Sequence, residues 1–344
     1  MKRTKILTAL FVGGSVVFIM MTFYFYQVFY TANLNTSKDQ ASVLIKKGDD
    51  IEAVTKFLSD QELVQDRLSF RFETKFLKYN DNVKPGHYVL TKNMSNLEAV
   101  RLLRSGAQTP VRVTFNNARL KKDLAKKICA SLVADEKEFL KLLNDDKFLA
   151  DYGFDSETIL TMFLPNTYEM YWTTDAKGLF DRMKREYNSF WNQKRKDKAN
   201  ELGMTQKEVA ILASIVQAET LKSDEKPRVA GVYMNRLKKN MLLQADPTVV
   251  FAVGDFSIRR VLNKHLETDS PYNTYKYTGL PPGPINVPIA SSIDAVLNYE
   301  KHKYIFFCAS DEFNGYHNFA RTSAEHSRNA AKYQRALNKK KIMK

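Results

Sequence analysis

The chain has 344 residues, enough for two or three packed units, and carries a formal net charge of +15 with 22 Phe, 17 Tyr, 13 Gly and 2 Cys. That composition excludes collagen-like, low-complexity and wholly disordered classes. Cys129 and Cys308 lie too far apart to indicate a disulfide framework or a metal cluster, and both read as small core residues.

No charged residue occurs from Ile6 to Tyr30. At about 1.5 Å per residue such a run crosses about 30 Å of hydrocarbon with some tilt, so residues 6–30 read as a transmembrane anchor. Lys2, Arg3 and Lys5 precede it and Lys38 is the first charge after it, which assigns residues 1–5 to the cytoplasm and the rest to the outer, periplasmic side of the plasma (inner) membrane. The run exceeds a signal-peptide core and no small-x-small cleavage site follows, favouring an uncleaved anchor. Export argues against nucleic acid as the partner of the basic residues, which are spread from Lys121 to Lys341 without a helix-turn-helix or zinc pattern. They read as solvated faces, with some placed against anionic lipid or wall polymer.

Residues 31–42 are polar and aperiodic, as a short linker would be. Residues 43–109 then suggest a small α/β module: a strand ending at Ile45, helices over 50–60 and 67–78, a strand over 83–90 after Pro85-Gly86, and a helix over 96–104 stopping near Gly106. From residue 110 to 344 the pattern is mixed α+β. A strand is expected over 111–115, helices over 120–132 and 136–149, a turn at Pro165-Asn166-Thr167-Tyr168, one basic amphipathic helix over 179–198 and a further helix beginning near Pro227 that carries Val229, Val232, Tyr233 and Leu237. Tyr304 to Ala309 reads as a buried strand.

Thr205 and Glu208 form a capping-box pair, so a helix should run from Gln206 to Glu219 with Val209, Leu212, Ala213, Ile215 and Val216 as its apolar stripe. Glu219 falls on that stripe, four residues after Ile215 and three after Val216. A carboxyl desolvated there would hold its proton tightly, as a general acid near neutral pH must; a solvent-facing glutamate at a frayed helix end is the alternative. Downstream, Gln244-Ala245-Asp246-Pro247-Thr248 breaks away from the preceding helix, and a proline-rich stretch from Asp269 to Ile285 should form a stiff loop. On it, Tyr272, Asn273, Thr274 and Tyr275 combine aromatic faces with hydroxyl and amide groups, a mixture suited to sugar rings. Five dispersed histidines give no zinc-site spacing.

Several segments together resemble the membrane-anchored endolytic murein transglycosylases of the YceG-like group: residues 213–220 (Ala-Ser-Ile-Val-Gln-Ala-Glu-Thr), 243–249 (Leu-Gln-Ala-Asp-Pro-Thr-Val), 270–275 (Ser-Pro-Tyr-Asn-Thr-Tyr), 279–285 (Gly-Leu-Pro-Pro-Gly-Pro-Ile), and Gly315, His317 and Phe319 with His326 beyond. Lys47-Gly48, Gly86-His87-Tyr88 and Arg104-Ser105-Gly106 are similar to the LysM-like module of that family. The chain departs from the family at Phe115-Asn116-Asn117, where an acidic residue and glycine are common, and at Leu160-Thr161-Met162 with Pro165-Asn166-Thr167-Tyr168. The resemblance implies an α+β protein with a transmembrane helix, a LysM-like module over 43–109 and a catalytic domain over 110–344 with its core at about 200–335. It implies cleavage between N-acetylmuramic acid and N-acetylglucosamine without water, leaving 1,6-anhydro ends, with Glu219 as general acid and then base; no cofactor or metal site is expected from the residues. Gln244, Asp246, Tyr272, Asn273, Thr274, Tyr275 and His317 become the expected substrate contacts, with a structural role for Asp246, capping a turn or orienting Tyr and Asn side chains, as the alternative. Peptidoglycan glycan strands are the implied substrate, and glycan polymerases and transpeptidases the implied partners. A non-catalytic wall-binding scaffold and a glycan hydrolase are the competing readings.

Overall fold

The computed structural model describes residues 2–36 and 39–339. Met1, Ser37 and Lys38 of the expected linker and the basic tail past Lys339 lie outside the described residues. The chain divides into two compact units, one comprising residues 1–113, 131–133 and 169–174, the other 114–130, 134–168 and 175–344.

The first unit opens with α1 (Lys2–Tyr30), continues with β1 (Gln40–Ile45), α2 (Ile51–Asp60), α3 (Arg67–Phe76), β2 (Gly86–Thr91) and α4 (Asn96–Ser105), and reaches into β3 (Val111–Phe115). Residues Arg3–Tyr30 form a helix long and apolar enough to cross a membrane, with mean hydropathy 2.2 and an exposed surface. Each following helix is started by its own side chain: the Asp50 carboxylate accepts the Ala53 N–H, Asp66 accepts those of Leu68 and Ser69, and Ser95 and Glu98 form a reciprocal capping box. Gly106 ends α4 in the left-handed region at φ 75°, where a side chain would be strained. β1 and β2 pair antiparallel from Gln40↔Thr91 to Ile45↔Gly86 and cover a core of Val43, Ile45, Leu58, Phe70, Tyr88, Leu90 and Leu103.

The described part of the expected linker is packed instead of loose. Leu34 belongs to the core, Asn33 and Thr36 are buried, and Ala32 and Leu34 make isolated β-bridges to Ser95 and Val64. Asn33 explains this ordering: its amide donates to the Asp66 carbonyl and to Asn96 Oδ1 and accepts the Asp66 N–H, so a polar side chain replaces a backbone ladder.

The second unit contains α5 (Lys121–Cys129), α6 (Glu136–Leu142), α7 (Asp146–Ala150), part of β4 (Asn166–Met170), α8 (Ala176–Phe190), α9 (Gln193–Glu201), α10 (Gln206–Glu219), α11 (Lys226–Lys238), α12 (Asp246–Val253), α13 (Asn263–Leu266), α14 (Ala290–Leu297), β5 (Phe306–Ala309), β6 (His317–Ala320) and α15 (Ser323–Lys339). β3 pairs with β4, and β5 pairs antiparallel with β6 from Phe306↔Ala320 to Ala309↔His317. The helix expected over 179–198 is two helices. Trp191 is buried at the break and the Asn192 side chain accepts the Arg195 N–H to start α9 afresh. Likewise Asp145 caps α7 and splits the helix expected over 136–149. The strand at 306–309 is only half-buried, one arm of a two-stranded ribbon. Cys129 is buried and Cys308 half-buried, and both are free thiols.

α10 is the axis of this unit. Every residue from Val209 to Val216 is buried, and the helix packs on α11, α12 and α14. The Thr205–Glu208 capping box fixes its start, so the position of its last residue, Glu219, follows from fourteen residues of regular helix.

Candidate active site

Glu219 emerges half-buried at the C-terminal end of α10, on the wall of a cleft of about 570 Å³ whose lining includes Asn117, Arg119, Asp246, Phe251, Phe256 and Arg259. A second concavity of the same unit, about 840 Å³, is lined by Lys198, Lys238, Lys301 and Lys303 around Tyr299. Its one carboxyl, Glu201, is exposed, so size alone does not choose the site.

The surroundings of Glu219 raise its carboxyl from 4.5 to about 7. Burial is the main cause; the Asp246 carboxylate adds to it, while the Tyr233 hydroxyl and the Arg236 guanidinium oppose it. Tyr233, on α11 and 1 % exposed, donates its hydroxyl to Glu219 Oε1 at 2.5 Å. Its ring stands edge-on to Phe307 at 5.9 Å, which fixes the direction of that hydroxyl. Beside the burial that raises it most, the carboxylate next to it pushes the Tyr233 phenol well above its ordinary value, so this phenol remains a donor at any working pH.

Arg236 lies three residues on, on the same face of α11. Its Nε donates to the Ile305 carbonyl at 2.7 Å, and Nη1 donates to the carbonyls of Leu242 and Leu243 and to Gln244 Oε1 at 3.1, 2.9 and 3.1 Å. One guanidinium thereby ties the connection leading to α12 onto the approach to β5 and leaves a positive charge behind Glu219. Tyr233 and Arg236 are not among the residues expected from sequence. Tyr233 reads as one more member of an apolar stripe, and the usable signal was the polar tip of that tyrosine with an arginine at i+3.

Asp246 opens α12 with Pro247 behind it, so the stretch expected to break away from the preceding helix does so and leads into a new one. Asp246 is exposed on the cleft, and Tyr275 donates its hydroxyl to Asp246 Oδ1 at 2.6 Å. Gln244 is exposed just before it, held by Arg236 and by its own N–H on the Thr274 carbonyl. At φ 50° its backbone is left-handed, a strain that these contacts offset.

Asn273 and Thr274, expected at the substrate surface, lie beneath it instead, being 0 % and 1 % exposed. The Asn273 amide donates to the Leu266 and Thr268 carbonyls, and the Thr274 hydroxyl accepts the Ala245 N–H at 3.0 Å and pairs with Thr248. A loop without sheet partners satisfies its buried polar groups through such side chains, and these two therefore set the position of Tyr275 and Asp246. Tyr272 is half-buried on Phe251, with ring centroids 4.7 Å apart, and donates to Glu157 Oε2 at 2.6 Å. Gly283 passes so close that a Cβ there would meet the Glu157 carbonyl at 2.2 Å and the Tyr272 hydroxyl at 2.6 Å. His317 does not line the cleft. Its Nδ1 and backbone N–H both lie 2.8 Å from the buried Glu225 carboxylate, which also accepts the Thr220 hydroxyl at 3.0 Å, so it braces the residue that follows Glu219.

The arrangement offers one protonatable carboxyl at neutral pH, a fixed phenol donor on it, a second carboxylate engaged by a tyrosine, and an apolar and basic rim from Phe251, Phe256, Arg119 and Arg259. Arg119 lies over the Phe256 ring at 4.4 Å.

A family model described as the YceG-like family matches residues 43–332. A Bacillus subtilis (strain 168) protein named endolytic murein transglycosylase is 29% identical over 321 residues, covering 88% of this chain and 88% of its own length. A Streptococcus pneumoniae (strain R6) protein of the same name is 28% identical over 330 residues, covering 86% of this chain and 59% of its own length. The 2.6 Å crystal structure of a yceG-like protein from Listeria monocytogenes is similar with a TM-score of 0.57 at 28% identity, covering 85% of this chain and 99% of that one.

Proposed function

The chain belongs to the YceG-like family, and from that premise we propose that it is a peptidoglycan lytic transglycosylase, with Glu219 as its single acid–base group. The observation that carries this reading is the Glu219 carboxyl itself, raised to about 7 by burial at the wall of an open cleft and held by Tyr233. A group that must give a proton and then take one back works best with a pKa near the ambient pH.

In the proposed reaction Glu219 donates its proton to the oxygen linking N-acetylmuramic acid to N-acetylglucosamine. That C1–O bond breaks, and positive charge develops at C1 of the muramyl ring. Asp246, whose negative charge already reaches Glu219, stabilises it, with Tyr275 keeping the carboxylate in place. Glu219, now ionised, takes the proton of the muramyl 6-hydroxyl as that oxygen bonds to C1. The strand is cut with a 1,6-anhydro end, no water is consumed, and the enzyme returns to its starting protonation. Gln244 and the rings of Tyr272 and Tyr275 are the proposed sugar contacts, while Asn273, Thr274 and His317 hold the surfaces that carry them.

α1 is proposed as a single-pass anchor with residues 1–5 in the cytoplasm and the chain after residue 30 on the outer side, and residues 43–109 as a LysM-like glycan grip. Peptidoglycan synthases are proposed neighbours at that membrane surface. The Asp246 carboxylate on the same cleft supports the hydrolase as the second reading, since two carboxylates are what an inverting or retaining glycosidase uses. E219Q tests the assignment: the amide is nearly isosteric, so thermal unfolding should be unchanged while cleavage of glycan strands is lost. Appreciable retained cleavage refutes the role of Glu219.

A further inference from the structure

We propose that α3 is a membrane-surface helix, docking the first unit flat against the anionic phospholipid headgroups at the C-terminal end of α1. The proposal rests on the reading of α1 as a membrane anchor. It comes from how the ten residues of α3 divide around its axis at about 100° per residue.

Ser69, Phe70, Glu73 and Thr74 are buried on one side. Leu68, Phe72 and Phe76 recur every fourth residue on another side and are 80%, 45% and 61% exposed. Arg67, Arg71 and Lys75 form a parallel row next to them, with Lys78 just past the helix end; all four are exposed. Only Arg71 has an acidic partner among these four in the described residues, the exposed Glu52 at 3.7 Å. An apolar stripe edged by a cationic row, on a helix of low net hydrophobicity, is the pattern of helices that lie in a bilayer interface.

The stripe is also at the right depth. Starting from Ile6, about 30 Å of hydrocarbon takes about 20 residues and ends near Phe25, which leaves residues 26–30 at headgroup level. Phe29 sits there, with its ring edge-on to Phe72 at 6.2 Å and to Phe76 at 5.1 Å. The end of α1 is held in that place rigidly, because Val28 is buried and its carbonyl accepts the Asn96 amide at 3.1 Å. The aromatic residues of α3 therefore continue the apolar surface of the anchor at the level where phosphates begin, and the cationic row meets those phosphates.

The test uses the full chain reconstituted in phosphatidylglycerol-containing vesicles with lipids brominated at shallow or deep acyl positions. Two single variants report position, L68W on the exposed stripe and V16W midway along α1, with the emission of the unaltered chain subtracted. The proposal predicts that L68W emission is blue-shifted and quenched most by shallow bromines, and V16W most by deep ones. It also predicts that replacing phosphatidylglycerol by phosphatidylcholine weakens quenching of L68W but not of V16W. Loss of quenching for V16W overturns the anchor and the docking with it. Quenching of V16W alone overturns the docking and leaves the anchor standing; if L68W is then blue-shifted, a protein covers the stripe instead of lipid. Equal L68W quenching in the neutral vesicles overturns the assignment to anionic headgroups.

Discussion

Replacing Tyr233 by Phe removes one hydroxyl from the site and little else, because the ring keeps its edge-on contact with Phe307. The lost hydrogen bond, 2.5 Å to Glu219 Oε1, is one of the two influences that hold the Glu219 carboxyl down. A hydrogen bond to an ionised group is worth about 1.5–3 kcal/mol and one to a neutral group about 1 kcal/mol. The ionised form therefore loses about 0.5–2 kcal/mol more than the neutral form, which at about 1.4 kcal/mol per pH unit centres on about one unit upward. Glu219 must start protonated to act as an acid, so activity of the native chain should fall as pH rises through about 7. In Y233F that alkaline limb should move up by about one unit. The assay is kcat/KM for release of soluble fragments from purified glycan strands, measured across the neutral and alkaline range. An alkaline limb that stays in place or moves down refutes the reasoning, since the limb would then report some group other than a Tyr233-bonded Glu219.

The neighbouring carboxylate gives the opposite sign. D246N removes a negative charge that raises Glu219, so its alkaline limb should move to lower pH in the same assay, with reduced kcat from the loss of charge facing the developing cation. Glu73, fully buried in the first unit with neither carboxylate oxygen bonded, is raised from 4.5 to about 7 by desolvation, against the pull of Arg101. The native state then holds a proton that the unfolded chain has released, so stability falls as pH rises from 4.5 to about 7 and stays low above, by about 3 kcal/mol at most. E73Q should flatten that dependence in thermal unfolding of the detergent-solubilised chain, and an unchanged slope would point to another group. Truncation should be sensitive to where it falls: removing residues 1–25 leaves Val28 and its carbonyl in place, whereas removing 1–30 strips a buried Val and the acceptor of Asn96, costing the first unit about 3 kcal/mol. Equal unfolding temperatures for the two fragments would show that the end of α1 contributes nothing.

Local signals carried much of the architecture. The capping boxes at Thr205 and Ser95 and the left-handed Gly106 mark helix ends by chemistry confined to a few residues, and the placement of Glu219 at the end of α10 follows from them. What escaped depends on distant partners. The break between α8 and α9 is made by the burial of Trp191, which no local period reveals. Asp246-Pro247 follows a break in the chain and starts a helix with proline in its first turn, and what the sequence hides is that the Asp246 side chain is taken up by Tyr275, twenty-nine residues on. Asn273 and Thr274 are polar residues in a proline-rich stretch and so read as surface; tertiary packing turns them inward to satisfy backbone groups. Tyr233 and Arg236 are hidden for the converse reason, since a tyrosine on an apolar helix face carries its function at the one atom that hydropathy ignores. In the same way, the helix at 67–78 is legible by period, but its unburied Leu68, Phe72 and Phe76 stand out only once the core is seen to lie on the other side.

In the proposed reaction one carboxyl, Glu219, cuts glycan strands without water. Mass spectrometry of the products from purified strands, incubated with the native chain and with E219Q, tests it most directly. The native chain should release fragments ending in 1,6-anhydro-muramic acid, and E219Q none. Reducing-end fragments, carrying the added mass of one water, would contradict it and make the protein a hydrolase.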